Sequence, residues 1–437
     1  MAKKEAEFKL EYEGKEEVTC QAGLGLYGEM NRSVGIDKDV ERIFAVPGSG
    51  KGYKAWEYIQ PLELMFLGGG RYIEDIRKIG ADKGLCRMSR IERVPSSDAV
   101  GRWLGRGWEE KREWLKEVHD NLSMKGLRKI EGSLTLDIDA TEIVAEKQEA
   151  EVTYKFNKGY MPMLGFIAES GLCIGYEFRA GNEPPNARNY EFTKETAEFI
   201  EGCGKKVSDF RSDSAAYTGK LMNYLNGRGT RYAITVDQDA AIKEAIKDIV
   251  EGEWKKLGKE VGFEGNDREY AEFVHTMNTT DHSFRVVVQR WLNPQQDLYM
   301  ETERYCYHGI ATNYLEGDKD SVEVIRWHNG RSNSENYNKE VKVGFNLEYM
   351  PGGEFGANAV WFGIGLLAYN LFIVSKMLLF PKSWVKKTIG TIRWQFIQMA
   401  GKIVRHARQC VVRICSTLRE TFDIYVRARR LCYELSG

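Results

Sequence analysis

Histidine and cysteine are scarce in this chain, six and eight residues among 437, and they are scattered. The cysteines stand at positions 20, 86, 173, 203, 306, 410, 415 and 432, with no C-x-x-C pair among them. That pattern excludes a legible zinc finger or disulfide framework and predicts reduced thiols in the cytoplasm. Overall charge of either sign is also missing: 63 Lys and Arg oppose 64 Asp and Glu, a net of -1. Over the whole chain this argues against a polyanionic partner. It conceals an asymmetry, because Lys376 to Gly437 holds 13 basic and 3 acidic residues, a net of +10 against -11 for the first 375. The tail alone is a candidate surface for nucleic acid or acidic lipid. No fixed-period repeat or low-complexity run occurs. The opening Met1-Ala-Lys-Lys-Glu-Ala-Glu has no apolar stretch behind its charges, so no secretory signal is expected.

Long apolar runs are nearly absent as well. The exception lies between Glu354 and Lys376, where 21 residues carry no charge. A spanning helix needs ~20 apolar residues, so length alone does not decide. Asn358, Asn370, the Phe355-Gly-Ala-Asn entry and the lack of a second span favour a buried core helix, and no membrane partner is expected. With 42% hydrophobic and 29% charged residues, the chain is globular and long enough for two to four domains.

Residues 1–130 read as short helices between Gly-rich turns. Ile73, Ile76 and Ile79 share a helical face, and Pro95 followed by Ser96 and Ser97 offers a helix start with its cap. Such a pair suits either a helix-turn-helix or a structural bundle. From Ser133 the pattern alternates: Leu134, Leu136 and Ile138 on one face, Thr135, Asp137 and Asp139 on the other, as in a strand with one polar face. A hairpin over 163–179, a helix over 193–200, strands at 207–213 and 232–236 and a helix over 215–225 indicate a mixed sheet with helices on its faces. Residues 265–315 read as a small antiparallel unit. Ser321 to Trp327 reads as a further strand, with a helix beginning near Gly330.

Asp139 ends the first strand, Asp213 closes the strand at 207–212, and Glu335 lies on the helix after Trp327. Acids beyond strand ends can converge at an α/β sheet's ligand crevice. Converging carboxylates need a cation between them, and oxygen ligands suit Mg²⁺ or Mn²⁺. Two such ions would activate a water or 3′-hydroxyl and stabilise the leaving oxygen of a phosphodiester. His328, Arg331, Glu335 and Lys342, spaced by 3, 4 and 7, fall within roughly 60° on one continuous helix. That face suits a metal beside a phosphate backbone, and it equally suits a solvated helix with i,i+4 ion pairs.

Together these residues resemble the DDE triad of bacterial insertion-sequence transposases, nearest in pattern to insertion-sequence family thirteen-eighty, a relative of the family-four elements. The carriers are Asp139 in Leu-Asp-Ile-Asp-Ala-Thr, Asp213 in Arg-Ser-Asp-Ser-Ala-Ala-Tyr and Glu335 in Asn-Gly-Arg-Ser-Asn-Ser-Glu-Asn. The Y-(2)-R-(3)-E-(6)-K signature is matched by Arg331, Glu335 and Lys342, with His328 in the Tyr position. A histidine there predicts an inflection in the cleavage-rate profile between roughly pH 5.5 and 8. The resemblance runs from about residue 60 to 415.

It implies an RNase H-like mixed sheet core (131–260 and 316–376) interrupted by an all-β insertion (261–315). A mainly helical DNA-binding region (1–130) would precede it and a basic helical region (377–437) would follow. Glu335 follows Asp213 by 122 positions, which leaves room for the insertion. It also implies two Mg²⁺ ions per site (Mn²⁺ substituting) on Asp139, Asp213 and Glu335. The partners would be terminal inverted repeats and target DNA, with a homodimer on two ends. Movement would be cut-and-paste through an end hairpin, in a bacterial cytoplasm. His328, Arg331 and Lys342 would face DNA, and Trp291 is the candidate to stack on a flipped base, against a plain core role in the β unit. Arg179 and Arg188, in a Gly- and Pro-containing loop, are further candidates for the DNA backbone. In the tail, Arg405, Arg408, Arg413 and Arg419 recur at near-helical spacing around Ile403, Val404, Val411, Val412 and Ile414, one face packing and the other meeting phosphates. The rival class is a DNA-binding regulator or architectural protein with an inactive nuclease core, against which the intact triad and helix motif stand.

Overall fold

A computed structural model describes residues 16–48, 51–258, 268–293, 304–406, 409–415 and 419–435. The chain divides into two compact units. One holds residues 107–343 and 347–366, the other 1–106, 344–346 and 367–437.

The first unit is built on a nine-stranded sheet. Its strands are β1 (Leu134–Ala140), β2 (Met163–Ile167), β3 (Leu172–Glu177), β4 (Val207–Ser212), β5 (Arg231–Thr235), β6 (Lys255–Lys256), β7 (Glu269–His275), β8 (Phe284–Leu292) and β9 (Tyr305–Thr312). The order is β6-β7-β8-β9-β5-β4-β1-β2-β3. Only β1/β4 and β4/β5 pair in parallel. The chain leaves β1 toward β2 on one side, while β4 flanks β1 on the other, so the carboxyl ends of β1 and β4 form a topological switch point. The strands expected at 265–315 form, but β9 pairs with β5, so they extend the main sheet rather than stand as a separate unit.

Helices cover this sheet: α1 (Trp108–Leu127), α2 (Asn189–Gly202), α3 (Gly219–Gly227), α4 (Ser321–Asn329) and α5 (Ser332–Lys339). The mainly helical N-terminal region thus gives way earlier than residue 130, since α1 belongs with the sheet. The strand expected at Ser321–Trp327 is helix α4. Asp320 caps it through Glu323 N at 2.8 Å, while the Glu323 carboxylate accepts from Asp320 N at 3.0 Å, a reciprocal capping box. Its Val324 and Ile325 bury against Ala233, Val287 and Ile310 of β5, β8 and β9. The Val322/Val324 alternation had mimicked a strand.

Helix α6 (Phe355–Leu378) is, among the described residues, the one helix long and apolar enough to cross a membrane, and its apolar window is wholly buried in the protein. Asn358 is tolerated there because its amide donates to Tyr160 Oη at 2.9 Å and to Gly352 O at 3.1 Å, and accepts from Gly352 N at 2.9 Å.

The second unit gathers helices Leu24–Ser33, Ala55–Gly68, Ser97–Gly105 and Arg419–Leu435. Ser96 caps Ser97–Gly105, accepting from Ala99 N at 3.2 Å. The basic tail is not helical throughout: Ala400–His406 and Gln409–Cys415 form a hairpin, and Val18–Thr19 adds a third strand. Ile403, Val404, Val411, Val412 and Ile414 are β-branched, and their branched side chains fit a pleated surface better than a helix. Arg405 therefore lies in a strand, and Arg408 lies outside the described residues.

Candidate active site

In the parallel register of β1 and β4, Ile138 lies opposite Ser212. The next residues, Asp139 and Asp213, therefore emerge side by side at the strand ends, about one inter-strand spacing (~4.8 Å) apart along the backbone. Asp213 also begins the following turn, accepting from Ala215 N at 3.1 Å. Burial holds both carboxyls above their usual proton affinity. Asp139 is pushed up to about 7, first by desolvation and then by the negative charge of Asp213, with Glu335 adding to it; Arg331 and Lys342 oppose the shift. For Asp213, burial again leads and Arg331 opposes. Asp237, two residues beyond β5, raises Asp213 further and was not foreseen.

The other wall is α5. Tyr337 Oη donates to Ala168 O at 2.9 Å, and the Asn338 amide donates to Asp139 Oδ2 at 2.6 Å. Gly171 in the β2–β3 turn has φ +75°, and a Cβ there would come within 2.7 Å of the Tyr337 ring, so this turn needs glycine twice over. Arg331 stands between the acids, 3.7 Å from Asp139 Oδ1 and 3.4 Å from Glu335 Oε1. Lys342 donates to Glu142 O at 3.2 Å, near enough to Asp139 for its charge to act there.

The expected single helical face is broken. At 328–334 the chain switches to i→i+3 bonds (Arg331 N to His328 O, Ser334 N to Arg331 O), and residues 340–344 form a π turn. Each change of winding rotates the side chains that follow. Arg331, Glu335 and Asn338 stay together at the carboxylates, while His328 turns inward. It is 4% exposed, bonds Thr235 Oγ1 at 3.2 Å, and lies 5.8 Å from the His308 ring. Burial first, then the neighbouring His308, pushes it down to about 3, so it stays neutral at working pH.

Asp137, which shares the polar face of β1 with Asp139, has a different fate. It is fully buried and takes both forks of Arg211, its register partner on β4, at 2.8 Å each. Arg211 also donates to Trp327 O at 2.9 Å, tying α4 to the sheet. Arg179 is likewise internal, bonded to Met161 O and Ala187 O at 2.8 Å each, and Arg188 is paired with Glu177. Trp291 lies on β8, four strands from β1, roughly 19 Å at ~4.8 Å per strand. It is half-buried, with the Arg268 guanidinium 4.1 Å over its ring. Asn338 was legible beforehand, since 331, 335, 338 and 342 follow helical spacing. Arg211 was not, because a register partner is a tertiary fact.

Fold and site define a mixed α/β protein whose carboxylates gather at the switch point of its sheet, with an arginine and a lysine beside them. The profile of the family described as "Transposase DDE domain group 1" matches residues 2–430, and the chain belongs to that family. No curated protein matches it. Among solved structures, it is similar to one described as "Cryo-EM structure of piggyBac transposase synaptic complex with hairpin DNA (SNHP)", with 9% identity, 87% of this chain and 82% of that chain covered, and a TM-score of 0.46.

The donor set is chemically suited to a hard divalent cation: carboxylate oxygens whose mutual repulsion a cation would relieve. As the side chains lie, no three His, Cys, Asp or Glu among the described residues stand close enough to hold one ion. Glu335 is turned to Arg331 and its side chain is 64% exposed.

Proposed function

We propose that this transposase binds the terminal inverted repeats of a bacterial insertion sequence and moves it by cut-and-paste cleavage and strand transfer. The observation that carries this is the pairing of Asp139 and Asp213 at adjacent parallel strand ends, with Arg331 bridging Asp139 to Glu335. An RNase H-like core is supported by the run β3-β2-β1-β4-β5, in which β2 alone is antiparallel, with one acid after β1 and one after β4.

Asp139 and Asp213 would hold two Mg²⁺ or Mn²⁺ ions, with Glu335 joining them as its carboxylate exchanges Arg331 for metal. The ions would supply activation of the attacking water or 3′-hydroxyl and neutralisation of the leaving oxygen. Asn338 fixes one Asp139 oxygen, so the other faces the ligand side. Arg331, released from Glu335, takes a phosphate oxygen of the scissile strand, and Lys342 takes a second from the opposite end of the same wall. A base stacking on Trp291 would use the ring face opposite Arg268. Two element ends require two such centres, hence a homodimer on DNA.

The test is cleavage of DNA bearing the element's ends. Asp139→Asn and Glu335→Gln should abolish nicking in Mg²⁺ and leave end binding intact. End complexes that form on wild-type protein without cleavage, even in Mn²⁺, would replace this reading with the architectural one.

A further inference from the structure

A second concave site lies in the helical unit, built from chain segments far apart in sequence. It is a cavity of about 530 Å³ whose lining includes Arg32, Arg87, Arg90, Arg429 and Arg430, with Glu29 as its one acid. Not all five guanidiniums are available. Arg429 is closed on Glu29 by bonds of 2.7 to 3.0 Å, and Arg87 is closed on Glu17 at 2.6 Å. Three remain. Arg32 has one neutral partner, Ser89 O at 3.2 Å. Arg90 is exposed and, among the described residues, has no ion pair, and its backbone is held left-handed at φ +58°. Among the described residues Arg430 pairs only with Glu434, an exposed i,i+4 contact at 3.0 Å that contributes little and exchanges readily.

These three cations line one space, and its single acid, Glu29, is already held by Arg429. Burial first and then the charge of Arg90 lower the proton affinity of Arg32, with Glu29 and Asp37 acting in the opposite direction. The same lining carries three aromatic side chains, Phe422, Tyr425 and Tyr433. Planar guanidinium forks match phosphate oxygens bidentately, and aromatic rings beside them suit a nucleotide strand better than a bare inorganic anion. A cavity of this size holds a piece of one strand rather than a duplex.

We propose that this cavity clasps the phosphodiester backbone of one strand of the bound DNA, with Arg32, Arg90 and Arg430 each on a phosphate. The proposal rests on the chain's being a DNA transposase and adds an anchoring site apart from the carboxylate centre. The tail's contribution then lies in Arg430 of its last helix, joined to arginines from the N-terminal helices.

The experiment is the salt dependence of binding of the full chain to a fluorescent duplex of arbitrary sequence, because backbone contact is independent of sequence. Each phosphate contact contributes about -0.9 to the slope of log K against log salt, so the Arg32→Gln, Arg90→Asn, Arg430→Gln triple variant should flatten it by ~2.7. Asn at position 90 tolerates the left-handed backbone. Arg427→Gln, on the same helix but outside the lining, removes one positive charge, as each of the three changes does, and should leave the slope unchanged. Should the triple variant fail to fold, Arg90→Asn with Arg430→Gln, both exposed, should flatten it by ~1.8. An unchanged slope in the triple variant, or a flattening of ~0.9 in Arg427→Gln, overturns the proposal. So does selective loss of polyglutamate binding in the triple variant, which would assign the cavity to an acidic protein partner. Cleavage of element ends by wild type is scored separately. Cleavage with an unchanged slope refutes the cavity alone, and a flattened slope without cleavage refutes the catalytic reading alone.

Discussion

Asp137 and Asp139 stand two residues apart on one strand face, and the structure assigns them opposite fates when neutralised. Asp137→Asn leaves Arg211 buried with no counter-charge and weakens its hold on the Trp327 carbonyl that anchors α4. Removing one partner of a buried ion pair costs ~3–5 kcal/mol. For a unit of this size each kcal/mol shifts the melting temperature by ~2–4 °C, so the loss should be roughly 6 to 20 °C. Asp139→Asn removes a repelled carboxylate instead. Its proton affinity in the folded state, about 7, exceeds the ~3.9 of an unfolded aspartate. The wild type therefore loses stability as pH rises from about 4 to 7, and the Asn variant does not. Without metal, Asp139→Asn should match the wild type at pH 4 and melt higher at pH 8, yet be dead in cleavage. Scanning calorimetry at the two pH values, with a nicking assay in Mg²⁺, reads both arms. A stable but inactive Asp137→Asn beside an active Asp139→Asn would refute the assignment of roles.

A calcium titration offers a readout independent of turnover: Ca²⁺ at 100 times its Kd should stabilise the wild type by ~2.7 kcal/mol, and Asp139→Asn or Asp213→Asn should lose most of that in the same melting assay. Asn338→Ala removes the amide that orients Asp139, so half-maximal cleavage should need ~10–100-fold more Mg²⁺ while DNA affinity is unchanged; an unaltered metal requirement would count against the amide. His328, pushed down to about 3, stays neutral from pH 5.5 to 8, so the inflection expected from the sequence should be absent there, and the rate profiles of wild type and His328→Gln should be parallel. Its folded proton affinity lies below the unfolded ~6.5, so its contribution to stability is full above that pH and fades as pH falls toward 3; an acid melt of the two proteins should diverge there.

By itself the sequence determined β1 with its polar face, the acids at two strand ends, the Ser96 cap, the buried nature of α6, and the spacing of Arg331, Glu335 and Lys342. All of these are local: alternation, capping chemistry or an apolar stretch, readable within a few turns of chain. The capping box Asp320–Glu323 was equally readable and outranks the valine alternation that suggested a strand. The remaining features depend on partners distant in sequence. Parity on β1 treats Asp137 and Asp139 alike; they differ because Arg211 of β4 meets Asp137 inside a sheet covered on both faces, while Asp139 sits at the strand end. Spacing places His328 beside Arg331 only on an unbroken helix, and the tightened turn between them turns the imidazole into the core. The arginine cavity depends most on the folded state. Its walls come from residues 25–32, 87–90, 412–414 and 422–433, and no window of sequence holds more than two of its segments. Charges so far apart in the chain converge because burial of the apolar faces of their helices and strands fixes where the polar faces meet.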